Sequence, residues 1–177
     1  MKTKRKRLVI AAAVVLVLAA AWLWYTRPMA LERLCPGIDL SQCTEIRGGY
    51  SPPNSFDRHS VNLTPEDEGF ASLLAQFQDR TFCRSVLGLL SDGSATHIGW
   101  SEKDTNWNIA FYFDGVTLSN GEQIHGAIVW FSNFYGSVEL HYAGYKVWNG
   151  ISTTNKQQWL MDVQSLLTAS SSSLVLL

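Results

Sequence analysis

Hydrophobic and polar positions follow three different patterns along this chain. The first is an unbroken run, because Leu8 to Tyr25 contains no charged residue. As a helix, these 18 residues reach about 27 Å, close to the roughly 30 Å hydrocarbon core of a membrane. The run therefore predicts one continuous transmembrane helix over residues 8–25.

The second pattern has the period of an α-helix and occurs twice. Thr64 and Pro65 are typical of a helix start, and the apolar positions that follow predict a helix ending near Asp79. A second helix is predicted near the C-terminus, where Thr154 and Gln157 fit a capping box. The predicted apolar faces are Phe70, Leu73, Leu74 and Phe77 in the first helix, and Trp159, Leu160, Val163, Leu166 and Leu167 in the second.

The third pattern alternates with a period of two, which is typical of strands with one buried face. It predicts short strands at 44–50 and 59–63, and the period of two then continues from Thr96 onward. In the first of these later strands Trp107, Ile109, Phe111 and Phe113 share the buried face. Asn120-Gly121 predicts a type I′ hairpin turn. The segment 124–131 is apolar at almost every position, which predicts a central strand covered on both faces. Residues 82–90 fit either a short helix or a buried strand.

Strands in succession with helices on either side predict an α+β fold. We expect a two-layer domain in which an antiparallel sheet carries both amphipathic helices on one face. The predicted organisation is a basic tail (1–7), the transmembrane helix (8–25), a juxtamembrane connector (26–43), the domain (44–169) and a C-terminal tail (170–177).

Charges before the apolar run predict its orientation. Five cations lie between Lys2 and Arg7, and the positive-inside rule places them in the cytoplasm and the domain outside it. As a cleaved signal peptide, the segment would end at the small residues 19–21. As an uncleaved anchor, it continues through the aromatic residues near Tyr25, which suit the headgroup region. The aromatic belt favours the anchor, and therefore a single-pass protein of the cell membrane.

The overall net charge of −1 conceals an uneven distribution. After Arg27 the chain has 8 Lys and Arg residues against 15 Asp and Glu residues, a net charge of −7. Nucleic-acid binding needs a basic stripe, and none follows the N-terminal cluster. The composition therefore excludes nucleic acid as the expected partner.

Three cysteines, Cys35, Cys43 and Cys83, occur in a chain that we expect to leave the cytoplasm. An oxidising compartment permits a disulfide bond between Cys35 and Cys43, which flank a short Pro-Gly segment. The alternative is three thiols, with Cys83 acting as a small buried hydrophobe. The sequence contains no C-x-x-C motif, so neither a thioredoxin-like site nor a zinc ribbon is predicted.

Common catalytic signatures do not occur in the sequence, including G-x-S-x-G, H-E-x-x-H and G-x-G-x-x-G. The remaining candidate for chemistry is a pair of histidines, His125 and His141, on strands expected to be sequential. With a nearby carboxylate such as Glu139, the pair suggests a zinc site and a small hydrolase or other metal-dependent enzyme. Metal sites need three or more ligands, so we predict no metal, catalytic or cofactor site.

Aromatic residues at one turn suggest a contact surface instead. Phe134 and Tyr135 follow Ser132-Asn133 and precede Gly136, so a turn would expose both rings. Exposed rings on a turn can contact a glycan, a peptide or a membrane surface. The expected function is therefore a membrane-tethered, non-catalytic domain that contacts another envelope or extracellular component.

The combination of a basic tail, one span and this domain resembles small membrane-anchored exported proteins of Gram-positive bacteria. The resemblance rests on the helix start at 64–67, the strands rich in Trp and Tyr, and the closing amphipathic helix. It covers the architecture of most of the chain and carries over no functional residue.

Overall fold

The computed structural model describes residues 2–52, 59–84, 106–117, 121–134, 137–142 and 146–171, and its fold is α+β. The described helices are α1 (Lys2–Thr26), α2 (Leu31–Leu34), α3 (Glu68–Gln78) and α4 (Lys156–Ser170), with a 3-10 turn at Leu40–Gln42. The described strands are β1 (Met29–Ala30), β2 (Cys43–Ser51), β3 (His59–Leu63), β4 (Thr81–Arg84), β5 (Asn106–Thr117), β6 (Gln123–Phe134), β7 (Ser137–Tyr142) and β8 (Lys146–Thr153).

All the described strands belong to one antiparallel sheet in the order β1-β4-β8-β7-β6-β5-β2-β3. The predicted antiparallel sheet is confirmed, and it is larger than the sequence pattern indicates. Neither β1 nor β8 was predicted. The ambiguous segment 82–90 begins as a strand in β4, and its residues from 85 onward lie outside the described ranges.

Both α3 and α4 pack on the same face of this sheet, as predicted. Phe77 of α3 lies at the centre of an aromatic core, with its ring centroid 5.0 Å from Phe111, 4.8 Å from Phe131 and 5.5 Å from Trp159. The Trp159 ring of α4 also contacts Phe82 at 5.7 Å. Edge-to-face ring contacts of this kind join strands β4, β5 and β6 to the two helices.

The apolar faces of both helices are confirmed, but both helices begin later than predicted. Helix α3 begins at Glu68 with Asp67 as its N-cap, because residues 64–67 form a separate turn. In that turn the Asp67 carboxylate accepts hydrogen bonds from the Thr64 amide and hydroxyl, which lower the pKa of Asp67. Helix α4 has Asn155, with a left-handed φ of 52°, as its N-cap in place of the predicted Thr154.

The predicted hairpin between β5 and β6 exists, but its register differs from the prediction. Thr117 pairs with Gln123, so the connection contains five residues. A two-residue turn at Asn120-Gly121 would pair Thr117 with Ile124 instead. Asn120 lies outside the described residues, and Gly121 has the positive φ of 85° that favours glycine.

The segment predicted as a juxtamembrane connector is part of the domain. Strand β1 pairs with β4 at the edge of the sheet, and Tyr142 of β7 donates a hydrogen bond from its hydroxyl to the Pro36 carbonyl. Five side chains of the segment are buried in the core: Leu31, Leu34, Cys35, Ile38 and Leu40. The domain therefore begins at Met29 and not at Thr44, because apolar residues spaced through 31–40 complete the core.

The long helix α1 contains the predicted span and extends it in both directions. Residues Lys4–Thr26 form one apolar helix of 23 residues with a mean hydropathy of 2.5, and none of its most apolar window is buried by the domain. By length and composition this helix could cross a membrane. The large apolar side chains of α1 from Leu8 to Trp24 are exposed, whereas the apolar faces of α3 and α4 are buried against the sheet.

Candidate functional site

One face of the sheet is covered by α3 and α4, and the opposite face carries the candidate site. Along β2 and β5 the side chains alternate between the two faces, so Ile46 and Phe111 are buried while Arg47 is exposed and Tyr112 is half-buried. We call the second surface the open face. Its central side chains are Glu45, Arg47, Asn62, Ala110, Tyr112, Trp130 and His141.

Strand pairing arranges five of these residues in a row across the sheet. Arg47 pairs with Asn62 on one side and with Ala110 on the other. Trp130 in turn pairs with Ala110 and with His141. Neighbouring strands lie about 4.8 Å apart, so Arg47 and Trp130 stand roughly 10 Å apart with only the methyl group of Ala110 between them. The row therefore has a large side chain on each side of the small Ala110.

Trp130 and His141 form an aromatic platform at one end of the row. Their ring centroids are 4.8 Å apart and the rings are inclined by 28°. Trp130 is 39% exposed, whereas Trp107 and Trp159 lie in the core. Stacking on His141 holds the indole in one orientation and leaves part of its surface accessible to a ligand.

A charged cluster lies at the other end of the row. The Arg47 guanidinium donates from Nε and Nη2 to the two Glu45 carboxylate oxygens, both at 2.8 Å, and lies 4.5 Å from the centroid of the Tyr112 ring. Hydrogen bonds from Arg47 hold the pKa of Glu45 below its ordinary value, and Asn62 adds to this effect. Both charges are therefore present at neutral pH, and the pair is lost only as the pH falls through that lowered pKa.

Trp130 lies on the open face because it pairs with Ala110 and alternates with the buried Val129 and Phe131, and a β-bulge precedes this part of β6. Phe111 pairs with Val129 but the next residue, Tyr112, pairs with Ala127, so Ile128 is an extra residue in β6. The alternation along β6 changes sides at that point. The prediction that segment 124–131 is covered on both faces is therefore wrong at Trp130.

The same bulge separates residues that the sequence pattern placed together. We expected His125 to share a face with Val129 and Phe131, but both of these are buried under the helices while His125 is exposed. The next row of the open face, at Ser132, is buried, so the exposed part of the face centres on Trp130 and Arg47.

The two histidines of the suggested metal site are not cross-strand neighbours. His141 pairs with Trp130, five positions along β6 from His125, and the β6–β7 pairing that the structure describes begins at Val129. Within the described ranges, no group of three or more His, Cys, Asp and Glu side chains has the arrangement of a metal site. The hypothesis of a zinc enzyme therefore lacks the cross-strand pair on which it was based.

The predicted contact turn is only partly described. Phe134 is the last residue of β6 and pairs with Ser137 of β7, whereas residues 135–136 lie outside the described ranges. Tyr135 lies outside the described residues, so exposure of these two rings stays a prediction. Sequence reasoning missed Trp130 because it assigned the residue mainly to the core. Its alternation with Val129 and Phe131 was the signal that could have placed it on the opposite face.

The two cysteines of the suggested disulfide bond are both buried, and no bond joins them in the structure. The Cys43 thiol donates instead to the Glu45 carbonyl at 3.3 Å. Burial raises the pKa of Cys43 to about 11. In the structure each of these two side chains packs as a small side chain of the core, and the Cys35–Cys43 bridge stays a prediction.

We expect alkylation to confirm this state of the thiols. At pH 8 a thiol with this pKa is about one thousandth ionised, so Cys43 should resist iodoacetamide in the folded protein, as should the buried Cys35. Unfolding in urea without a reductant should then expose three reactive thiols per chain, counted by mass spectrometry. A count of one would mean that two of the three cysteines are joined.

Comparison of the chain with protein-family models, with curated proteins and with solved structures found no match. The chemistry of the open face is therefore the basis for assigning a function.

Proposed function

We propose that this protein is a membrane-tethered, non-catalytic module that binds an extracytoplasmic glycan on its open face. Helix α1 serves as an uncleaved signal anchor in the bacterial cell membrane. The five cations between Lys2 and Arg7 favour a cytoplasmic N-terminus, which leaves the domain outside the cytoplasm. The resemblance to anchored exported proteins of Gram-positive bacteria agrees with this arrangement.

The exposed Trp130 ring, stacked on His141, is the observation that carries the proposal. A sugar ring has an apolar C–H surface and a rim of hydroxyl groups. An indole can cover the apolar surface, while charged and amide side chains can bond to the hydroxyls. Trp130 provides the first element, and the cluster of Arg47, Glu45 and Asn62 provides the second.

The spacing of these two elements favours a short oligosaccharide over a single sugar. A ligand that contacts both must reach across the strands that separate Arg47 from Trp130, roughly 10 Å. The small Ala110 side chain leaves room for it to lie flat on the sheet. A peptide or an envelope protein could also contact an exposed indole. A glycan fits better, because its sugar rings need both a flat aromatic surface and nearby groups that bond to hydroxyls.

Co-sedimentation with purified, insoluble cell-wall peptidoglycan tests the proposal. We expect the full chain, solubilised in a mild detergent, to pellet with the peptidoglycan. Trp130→Ala should weaken this binding by at least about tenfold, as expected for the loss of a central aromatic contact. Arg47→Gln should also weaken it, because the bonds of the charged cluster are lost.

Met161→Ala is the matched control, because Met161 is a large side chain that is 46% exposed on α4, away from the open face. It should pellet as the unmodified chain does. Failure of the unmodified chain to pellet would contradict peptidoglycan as the ligand. Equal pelleting of the Trp130→Ala variant would show that the open face is not the binding surface.

A further inference from the structure

Ala110 lies at the crossing of two rows of larger side chains on the open face. Across the strands it pairs with Arg47 of β2 and with Trp130 of β6. Along β5 its neighbours on the same face are Asn108 and Tyr112, because side chains two positions apart point to the same side of a sheet. One methyl group is therefore surrounded on four sides by large side chains.

The geometry of a β-sheet sets the distances around this methyl group. Arg47 and Trp130 lie about 4.8 Å away on the neighbouring strands, and Asn108 and Tyr112 lie about 7 Å away along β5. A ligand atom contacts the Ala110 methyl when it approaches to within about 4.5 Å. A short substituent fits between the four side chains, while the sugar ring that carries it stacks on Trp130.

Two of the surrounding side chains are held in place by ring contacts. The Trp130 ring stacks on His141, with 4.8 Å between the ring centroids. The Arg47 guanidinium lies 4.5 Å from the centroid of the Tyr112 ring. Side chains that are held before binding lose little conformational freedom when a ligand arrives, so the surroundings of Ala110 are formed in advance.

Asn108 lies where the exposed part of the open face ends. It pairs with Gly49 and with Ser132, which are both buried, and it is itself half-buried. Its side-chain amide carries two N–H donors and one carbonyl acceptor. A substituent that lies over Ala110 therefore meets a half-buried amide on this side.

These neighbours specify the chemistry of the substituent. Its tip must be apolar, since it contacts a methyl group, and its stem must offer a donor and an acceptor to the Asn108 amide. An acetamido group has all three parts: a methyl group, an N–H and a carbonyl. A hydroxyl group has no apolar tip, and burying it against the Ala110 methyl without a hydrogen-bond partner costs free energy.

We propose that the open face is specific for glycans built from 2-acetamido sugars, with Ala110 as the specificity-determining residue and Asn108 as the polar partner of the acetamido group. This inference rests on the proposed function, since it concerns the same surface. The glycan strands of peptidoglycan carry an acetamido group on each sugar and belong to this class. Glycans of unsubstituted hexoses do not.

Co-sedimentation with two insoluble polymers tests this specificity. Chitin and cellulose have the same linkage and differ at carbon 2 of each sugar, which carries an acetamido group in chitin and a hydroxyl group in cellulose. We expect the full chain, solubilised in a mild detergent, to pellet with chitin. It should bind cellulose at least about tenfold more weakly, the discrimination that one methyl group and one polar contact provide.

Ala110→Leu should fill the space between Arg47 and Trp130, so its binding to chitin should fall by at least about tenfold with an unchanged circular dichroism spectrum. Ser152→Leu is the matched control, because Ser152 is an exposed residue of β8 outside the row and receives a side chain of the same size. It should pellet with chitin as the unmodified chain does. The comparison of the two polymers needs no variant, so it decides the matter even where Ala110→Leu does not fold.

Equal binding to chitin and cellulose would overturn the inference, as would unchanged binding to chitin by a folded Ala110→Leu variant. Binding to peptidoglycan without binding to chitin would overturn it as well. The proposed function survives each of these results as long as Trp130→Ala weakens the binding that is observed. Failure to pellet with peptidoglycan, chitin and cellulose alike would instead contradict the proposed function itself.

Discussion

A fragment that begins at Thr44 is expected to be unfolded, whereas a fragment that begins at Met29 is expected to fold. The longer fragment keeps β1, which pairs with β4 at one edge of the sheet, and the buried residues that follow it. It also keeps the Pro36 carbonyl that accepts the hydrogen bond from the Tyr142 hydroxyl. The shorter fragment loses all of these contacts.

The expected loss is comparable with the whole stability of a domain. Burial of a leucine or isoleucine side chain contributes roughly 1.5–3 kcal/mol, and Leu31, Leu34, Ile38 and Leu40 are all buried. Domains of ordinary size are stable by only about 5–15 kcal/mol. Removal of residues 29–43 should therefore abolish the folded state and not merely weaken it.

Circular dichroism and urea denaturation of both fragments would check this result. The fragment from Met29 should show a single cooperative transition, and the fragment from Thr44 should show none at any urea concentration. Leu31→Ala in the longer fragment provides a milder form of the test, with an expected loss of about 2–5 kcal/mol. Cooperative unfolding of the fragment from Thr44 would show that this fragment folds. Residues 26–43 would then be a connector and not part of the domain.

Phe77→Ala is expected to reduce the free energy of unfolding by about 3–5 kcal/mol, the range for a large buried aromatic side chain. Phe77 is fully buried, and its ring contacts Phe111 and Phe131 of the sheet and Trp159 of α4. The substitution removes the ring that joins both helices to the sheet. The cavity lies between rigid elements, which limits how far the core can collapse to fill it.

Urea denaturation followed by far-ultraviolet circular dichroism measures this change, with Gln78→Ala as the control. Gln78 is the next residue of α3 and is exposed, so its variant should stay within about 0.5 kcal/mol of the unmodified chain. Leu74→Ala, also on the buried face, should lose about 2–5 kcal/mol. A loss below about 0.5 kcal/mol for Phe77→Ala would mean that α3 does not pack on the sheet.

Elements with strong local patterns were predicted correctly from the sequence. The uncharged run at 8–25 forms part of one helix, and the apolar stripe of α3 is buried where the period of 3.6 indicates. The alternation in β5 also predicted which of its side chains are buried, including Trp107 and Phe113. In each case apolar side chains recur with the period of the helix or strand, so the local sequence is enough to predict which of them are buried.

Three features of the structure depend on contacts between distant residues, and sequence patterns predicted none of them. Strand β1 is two residues long, too short for a period to be visible. The extra residue Ile128 looks like any other apolar residue of β6 until its pairing with β5 is known. The approach of Arg84 to Tyr25 joins residues 59 positions apart.

The sequence by itself determined the apolar helix at the N-terminus, the α+β class, the buried faces of α3 and α4, and the acidic balance of the domain. These follow from composition and from local periodicity, which the backbone geometry of each element requires. Only the tertiary structure decided the strand order, the pairing of Trp130 with His141 on the open face, the bulge at Ile128, and the inclusion of residues 29–43 in the core. The physical reason is that register depends on pairing between strands, and one extra residue moves every later side chain to the other face.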